Sequence, residues 1–520
     1  MRSKDSLREQ CSETDTLIAE ECKQDSNPRT PLPKAQLCIL LIARLSAPLS
    51  YSIISPFIYF MVRDFNITDN ESELGYYVGS IASCFAIAQT CTSMFWGATS
   101  DRIGRKPCII IGLFGSSLSL FLFGLSKSLI WAILSRCLCG LLNGNIGVIK
   151  TMVGELTDKT NRARAFSYLP MMMGLGNALG PVIGGFLVSP AKKLPYFFDT
   201  PFWNTYPYFL PCLFAGSINI FTGILSFCCL EETLVKQSCT ISDSESSITS
   251  CTSSSNTIAN IKSSQTKEIS KDKTLESKRP GYKPSSDSES LVGSSESAVN
   301  SLSAKKKSSQ KISKNSISVM FGLGIMALSA VMYGELFVLW AASDIKVGGL
   351  SFEETDVATV MSSNGIAILV FQLLFYPTLQ RRLGSLKLYR YVFPLYIAIC
   401  IAIPMVNIIV RNNGYSLSMY ICLYTLTLLR AACNTIGFTS INILLVETAE
   451  DTSNLGKLNG LSQTVGAICR SIAPTLCGTV FSYSLTHHLP YPFDYHFVWY
   501  ILASLCFLNY LNSFRIKLIE

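Results

Sequence analysis

The chain is 520 residues long, 49% hydrophobic and only 15% charged, with a formal net charge of +8 at pH 7, and its mean hydropathy is +0.34. A soluble chain carries about 25% charged residues, so this composition excludes a soluble enzyme, and the length excludes a small disulfide scaffold. The apolar residues fall in blocks of roughly 20, each enough to cross a hydrocarbon core about 30 Å thick, which predicts an all-α polytopic membrane protein.

Residues 1–35 are polar and mixed in charge, without the basic stretch and apolar core of a cleaved leader, and are expected to be a disordered cytosolic tail. Within them Glu13-Thr14-Asp15-Thr16-Leu17-Ile18 looks like an acidic dileucine sorting signal. It favours a vacuolar membrane, with the endoplasmic reticulum and plasma membrane as alternatives.

Apolar segments follow near 36–62, 76–98, 108–126, 129–150, 165–188 and 207–230. A second set lies near 317–342, 356–378, 388–410, 416–442, 460–483 and 495–513. The expected organisation is a bundle over 36–230, a linker over 231–316, a second bundle over 317–513 and a cytosolic end at 514–520. The linker is dense in Ser, Lys and acids and cannot bury enough apolar surface to offset the entropy of ordering, so disorder is expected there. Most of the 19 cysteines lie inside the apolar blocks, where a thiol acts as a small soft hydrophobe.

Lys and Arg collect in alternate short loops: Arg102, Arg105, Lys106, Lys159, Arg162, Arg164, Arg381, Arg382, Lys387, Arg390 and Lys457. The positive-inside rule then puts both termini and the linker in the cytosol. The net charge is a loop property and implies no nucleic-acid partner. Asn66 and Asn70 begin sequons in the first non-cytosolic loop, close to the membrane. All 3 histidines, His487, His488 and His496, fall with Asp494 around the last such loop, a candidate metal or pH-sensing set with no tetrahedral spacing.

Ionisable residues inside a bilayer are costly and face a cavity or a partner. Arg44, Arg136, Glu335, Arg430 and Arg470 are the candidates for proton or substrate handling, and Glu335 is the acid deepest in a predicted span. Each Arg has a second reading as a fixed interhelical clamp. The halves also echo each other: Arg136, Glu155 and Gly180-Pro181 recur as Arg430, Glu447 and Ala473-Pro474 at similar intervals. A duplicated six-helix unit predicts a site between the halves near mid-membrane.

After the second span the chain reads Trp96-Gly97-Ala98-Thr99-Ser100-Asp101-Arg102-Ile103-Gly104-Arg105-Lys106-Pro107. This resembles the loop between the second and third spans of the major facilitator superfamily. The resemblance implies twelve transmembrane helices in two pseudo-symmetric six-helix bundles, with Gly97, Asp101, Arg102, Gly104, Arg105 and Lys106 forming a latch for one conformation. Asp101 is expected to pair with an Arg or a helix N-terminus across the domain interface. The counterpart Tyr376-Pro377-Thr378-Leu379-Gln380-Arg381-Arg382-Leu383-Gly384 keeps the basic turn without the acid.

The fifth span carries Gly174-Leu175-Gly176-Asn177-Ala178-Leu179-Gly180-Pro181-Val182-Ile183-Gly184-Gly185, which is similar to the fifth-span motif of the superfamily's antiporters. Gly176, Gly180, Gly184 and Gly185 would make a smooth helix face, and Pro181 permits a kink. Ser167 upstream matches the zinc-induced facilitator-like branch and its fungal relatives. The string from Arg136 to Asn145 is similar to the fourth-span motif linked to proton transfer. One departure stands out: fungal relatives often carry Arg-x-x-Glu-Pro in the first span, whereas this chain has Arg44-Leu45-Ser46-Ala47-Pro48.

The resemblance, together with the charges in the spans, implies a monomeric secondary transporter exporting a small organic solute. Proton coupling is the leading reading; a proton-independent facilitator, or a solute sensor signalling through the linker, is the alternative. No GxxxxGK string followed by Ser or Thr occurs, and no cofactor, resident metal or enzymatic activity is expected.

Overall fold

A computed structural model describes residues 31–158, 161–234, 313–448 and 452–516. Residues 1–30 of the predicted tail, the dileucine string and nearly all of the predicted linker lie outside these residues, as does the Ser167 side chain. The described chain is helical throughout, apart from turns and loops.

The first six spans are α1 (Lys34–Ser52, resuming as Ile58–Asp64), α2 (Leu74–Ile103), α3 (Arg105–Gly124), α4 (Leu129–Leu142, resuming as Asn145–Glu155), α5 (Arg162–Leu187) and α6 (Phe209–Cys229). The second six are α7 (Lys314–Ala342), α8 (Glu354–Val370, running through a wide turn at Phe371–Phe375 into Tyr376–Leu383), α9 (Ser385–Ala402, resuming as Val406–Asn413), α10 (Leu417–Glu447), α11 (Thr452–Thr486) and α12 (Phe497–Ser513). Eleven of these stretches are long and apolar enough to cross a membrane, and α12 is shorter at 17 residues, near the lower limit for a spanning helix.

The interruptions correct the unbroken spans expected from hydropathy, and most have a local cause. Pro56 cannot donate to the ladder and ends the first piece of α1, and Pro404 does the same in α9. At Gly144 the two pieces of α4 meet against Trp96, whose Nε1 donates to the Leu141 carbonyl at 2.7 Å. The wide turn in α8 immediately precedes Pro377. Pro170 and Pro181, by contrast, lie inside α5 without ending it.

Packing repeats with a six-helix offset. In the first half α1 packs on α5, α2 on α4 and α3 on α6; in the second, α7 packs on α11, α8 on α10 and α9 on α12. Some polar side chains bond across these pairs, as a bilayer favours. Ser117 Oγ donates to the Gly216 carbonyl at 2.9 Å between α3 and α6, and Tyr389 donates to Asn509 at 2.8 Å between α9 and α12.

The halves meet along two seams, α2 with α11 and α5 with α8. Small residues allow the approach: Gly79 lies on the Pro474 backbone, Gly478 on Gly75, Gly365 on Ala178 and Gly185 on Ala358. The Thr475 N–H donates to Ser83 Oγ at 3.0 Å, and the Thr90 and Ser471 hydroxyls are 3.2 Å apart. These contacts run from mid-helix to the end remote from Gly104. Toward the Gly104 end, α2 and α8 expose Met94, Phe95, Leu373, Leu374 and Phe375.

Candidate functional site

Residues from five helices, four of the first half and one of the second, converge on one place. Tyr51 of α1 donates its hydroxyl to Glu335 Oε1 of α7 at 3.4 Å, joining one half to the other. Arg136 of α4 lies behind this pair, its guanidinium 4.6 Å from the Phe85 ring, 5.7 Å from Phe123 and 5.8 Å from Tyr51. Such ring faces stabilise a desolvated cation by about 2 kcal/mol. Glu335 and Arg136 make no ion pair; Arg136 acts on the carboxylate through space, with the Tyr51 ring beside both.

Arg430 of α10 is the second-half counterpart. Its guanidinium lies 3.4 Å from the centre of the Tyr333 ring and is buried. The echo between Arg136 and Arg430 read from the sequence therefore corresponds to two arginines held by aromatic faces.

The remaining cations have no such shield. Arg44 of α1 is buried against Met173 Sδ at 3.8 Å. Arg470 of α11 lies in electrostatic reach of Tyr51. Lys150, in the second piece of α4, lies in reach of both Arg44 and Arg470. It was not among the residues expected from sequence, because it sits at the margin of the predicted fourth span. A cation at mid-membrane costs about 2.5–3.5 kcal/mol on insertion scales, so this grouping is an expensive feature of the fold.

The loop between α2 and α3 is reduced to one residue. Only Gly104, at φ 115° and ψ 159°, separates the helices, a conformation essentially restricted to glycine. Gly384, at φ 75°, plays the same part between α8 and α9. Arg105 binds Asp101 one turn back and Glu155 of α4 at 3.0 Å. Glu232, just past α6, accepts the backbone N–H groups of Arg105 at 2.8 Å and Lys106 at 3.0 Å.

This geometry corrects the expected partner of Asp101, which pairs within its own loop, while Glu232 of the same half occupies the α3 N-terminus. Burial alone would disfavour charge on Glu232, but the N–H groups of Leu234, Arg105, Lys106 and Thr233 outweigh it and hold its pKa below the ordinary value. Thr233 Oγ1 donates to Glu155 at 2.5 Å and closes the network. In the sequence Glu155 stands out only through its spacing, and Glu232 does not stand out. Lys106 Nζ lies 5.8 Å from the Phe227 ring, while Arg102 and Gly97 are exposed.

The fifth-span glycines serve two faces. Gly176, Gly180 and Gly184 seat α5 on α1, against Pro48, Ser52 and Ile53, with Ser52 Oγ donating to the Gly176 carbonyl at 2.9 Å. Gly185 turns to α8 of the other half, and Pro181 is buried within the helix. Asn66 and Asn70 are both exposed beyond α1. His496 pairs with Asp494 at 2.8 Å, while His487 turns to the Tyr483 carbonyl. Among the described residues no three His, Cys, Asp or Glu side chains are grouped as a metal site.

Comparison with known proteins agrees with this architecture. The sequence pattern of the Major Facilitator Superfamily matches residues 40–474, and the chain belongs to that family. It is 29% identical over 461 residues to Protein ZINC INDUCED FACILITATOR 1 of Arabidopsis thaliana, covering 88% of this chain and 86% of that one. It is 28% identical over 490 residues to the major facilitator superfamily multidrug transporter mfsB of Aspergillus fumigatus, covering 87% and 79% respectively. The crystal structure of a D-xylose-proton symporter superposes with a TM-score of 0.61 at 13% identity, covering 94% of this chain and 98% of that one. The resemblance to the zinc-induced facilitator-like branch and its fungal relatives holds, and these relatives are transporters rather than enzymes.

Proposed function

We propose that the chain exports a small organic solute by alternating access, with Glu335 carrying the coupled proton. The observation that carries this reading is the Tyr51–Glu335 contact, which places a titratable carboxyl at the junction of the two halves. In this reading both termini are cytosolic, the protein works as a monomer in a vacuolar membrane, and the described arrangement is the state open to the cytosol. Arg136 tunes the charge on Glu335 from behind the Tyr51 ring, and uptake of the proton weakens the bond that Glu335 accepts and frees Tyr51 to part from it.

The latch operates within the first half. Arg105, held by Asp101 and Glu155, and Glu232, held by the α3 N-terminus, fix α2, α3, α4 and the end of α6 as one body. That body rocks along glycine-rich seams where few side chains interlock. The export direction draws on a further relative, Efflux pump azaK of Aspergillus niger.

The reading is tested by purified protein in proteoliposomes under an imposed pH gradient, comparing wild type with Glu335→Gln. Gradient-driven flux lost in the variant supports it. The absence of a Glu at Ala47 favours a second reading, a proton-independent facilitator, and equal flux with or without the gradient in both proteins would establish that instead.

A further inference from the structure

Five cationic side chains lie in the membrane-embedded part of the bundle: Arg44, Arg136, Lys150, Arg430 and Arg470. None of them makes an ion pair among the described residues. Arg136 and Arg430 are covered by aromatic faces. Arg44, Lys150 and Arg470 have no such cover. Arg44 is 6% exposed, and its Nε has no hydrogen-bond partner. Lys150 and Arg470 are half-buried and within electrostatic reach of each other.

Lys150 lies within electrostatic reach of Arg44 on one side and Arg470 on the other, and like charges so placed repel one another unless a countercharge joins them. Their placement is also divided: Arg44 and Lys150 belong to the first half, and Arg470 to the second. We propose that these three side chains bind a carboxylate-bearing organic anion, held between the two halves; this rests on the transporter reading above and names its substrate class. The anion supplies the missing countercharge and accepts charge-assisted hydrogen bonds from both guanidinium groups. Bridging the halves, it favours the arrangement in which α1 and α4 approach α11. Arg470 also lies in reach of Tyr51, so an occupied site is electrically coupled to Glu335.

The test uses the purified full chain in proteoliposomes with three labelled probes: succinate, glucose and choline. Protein-dependent succinate uptake is expected, with Arg470→Gln and Lys150→Gln each raising its KM about tenfold or more. Arg470→Lys, which keeps the charge, is expected to recover part of that loss. Succinate should also raise the Tm of wild-type protein in nanodiscs but not that of Arg470→Gln, provided both elute as a single monodisperse species. Movement of glucose or choline without succinate would overturn the anion site while leaving transport standing. Movement of none of the three, with no succinate-dependent Tm shift, would overturn the anion site and count against the transport reading as well.

Discussion

Tyr51 and Glu335, 284 positions apart in sequence, meet through a 3.4 Å hydrogen bond that spans the two halves of the bundle. The donor comes from α1, where Arg44 one side and Ser52 the other also face neighbouring helices. Tyr51→Phe keeps the ring against Phe85 and removes only the hydroxyl. A bond to a charged group contributes about 1.5–3 kcal/mol at good geometry, and this one is long. The expected outcome is about a threefold to tenfold fall in gradient-driven flux, with the Tm little changed. Proteoliposome flux and a thermal melt on the same preparation check it.

Gly104 and Gly384 are predicted to respond differently to alanine. Both hold a backbone region that costs about 1–3 kcal/mol for other residues. At Gly104 the added methyl also meets the Glu232 carboxylate, whereas at Gly384 it meets open space. Gly104→Ala is therefore expected to lower the Tm more than Gly384→Ala. Equal losses would show that the Glu232 contact contributes nothing.

The Glu232 contact carries a pH dependence. Its pKa is lower in the folded chain than the ordinary Glu value of about 4.3. The contact is therefore at full strength above that pH and fades only as the pH falls through the lowered folded value. The Tm gap between wild type and Glu232→Gln should stay constant from about pH 5.5 to 8 and narrow below about pH 4. A gap that narrows toward alkaline pH would contradict the assignment.

Gly79 lies directly on the Pro474 backbone where α2 meets α11. Gly79→Leu is expected to wedge this seam, lowering flux about tenfold or more while the chain still inserts. Flux and monodispersity measured together distinguish a jammed seam from a misfolded protein.

The helical bundle was legible because hydropathy blocks and basic loops are properties of contiguous sequence. The network around the α2–α3 loop was legible in part. Its glycines and basic residues form one string, but Glu155 and Glu232 reach it from α4 and the end of α6, and only the fold brings them together. Lys150 escaped notice because its significance lies in proximity to Arg44 and Arg470 on other helices. The breaks in α1 and α9 followed Pro56 and Pro404, residues readable in advance, yet hydropathy averages over them. Which glycines face α1 and which face α8 depends on helix rotation, which spacing alone does not set.

The central claim is that the two halves open alternately about the Tyr51–Glu335 junction. Paired spin-label distances across the α2–α11 seam test it most directly, with one pair at Tyr76 and Tyr483 and the other at Phe95 and Leu461. Across pH and added solute, the account predicts that one distance lengthens as the other shortens. Two distances that stay fixed, or lengthen together, would contradict it.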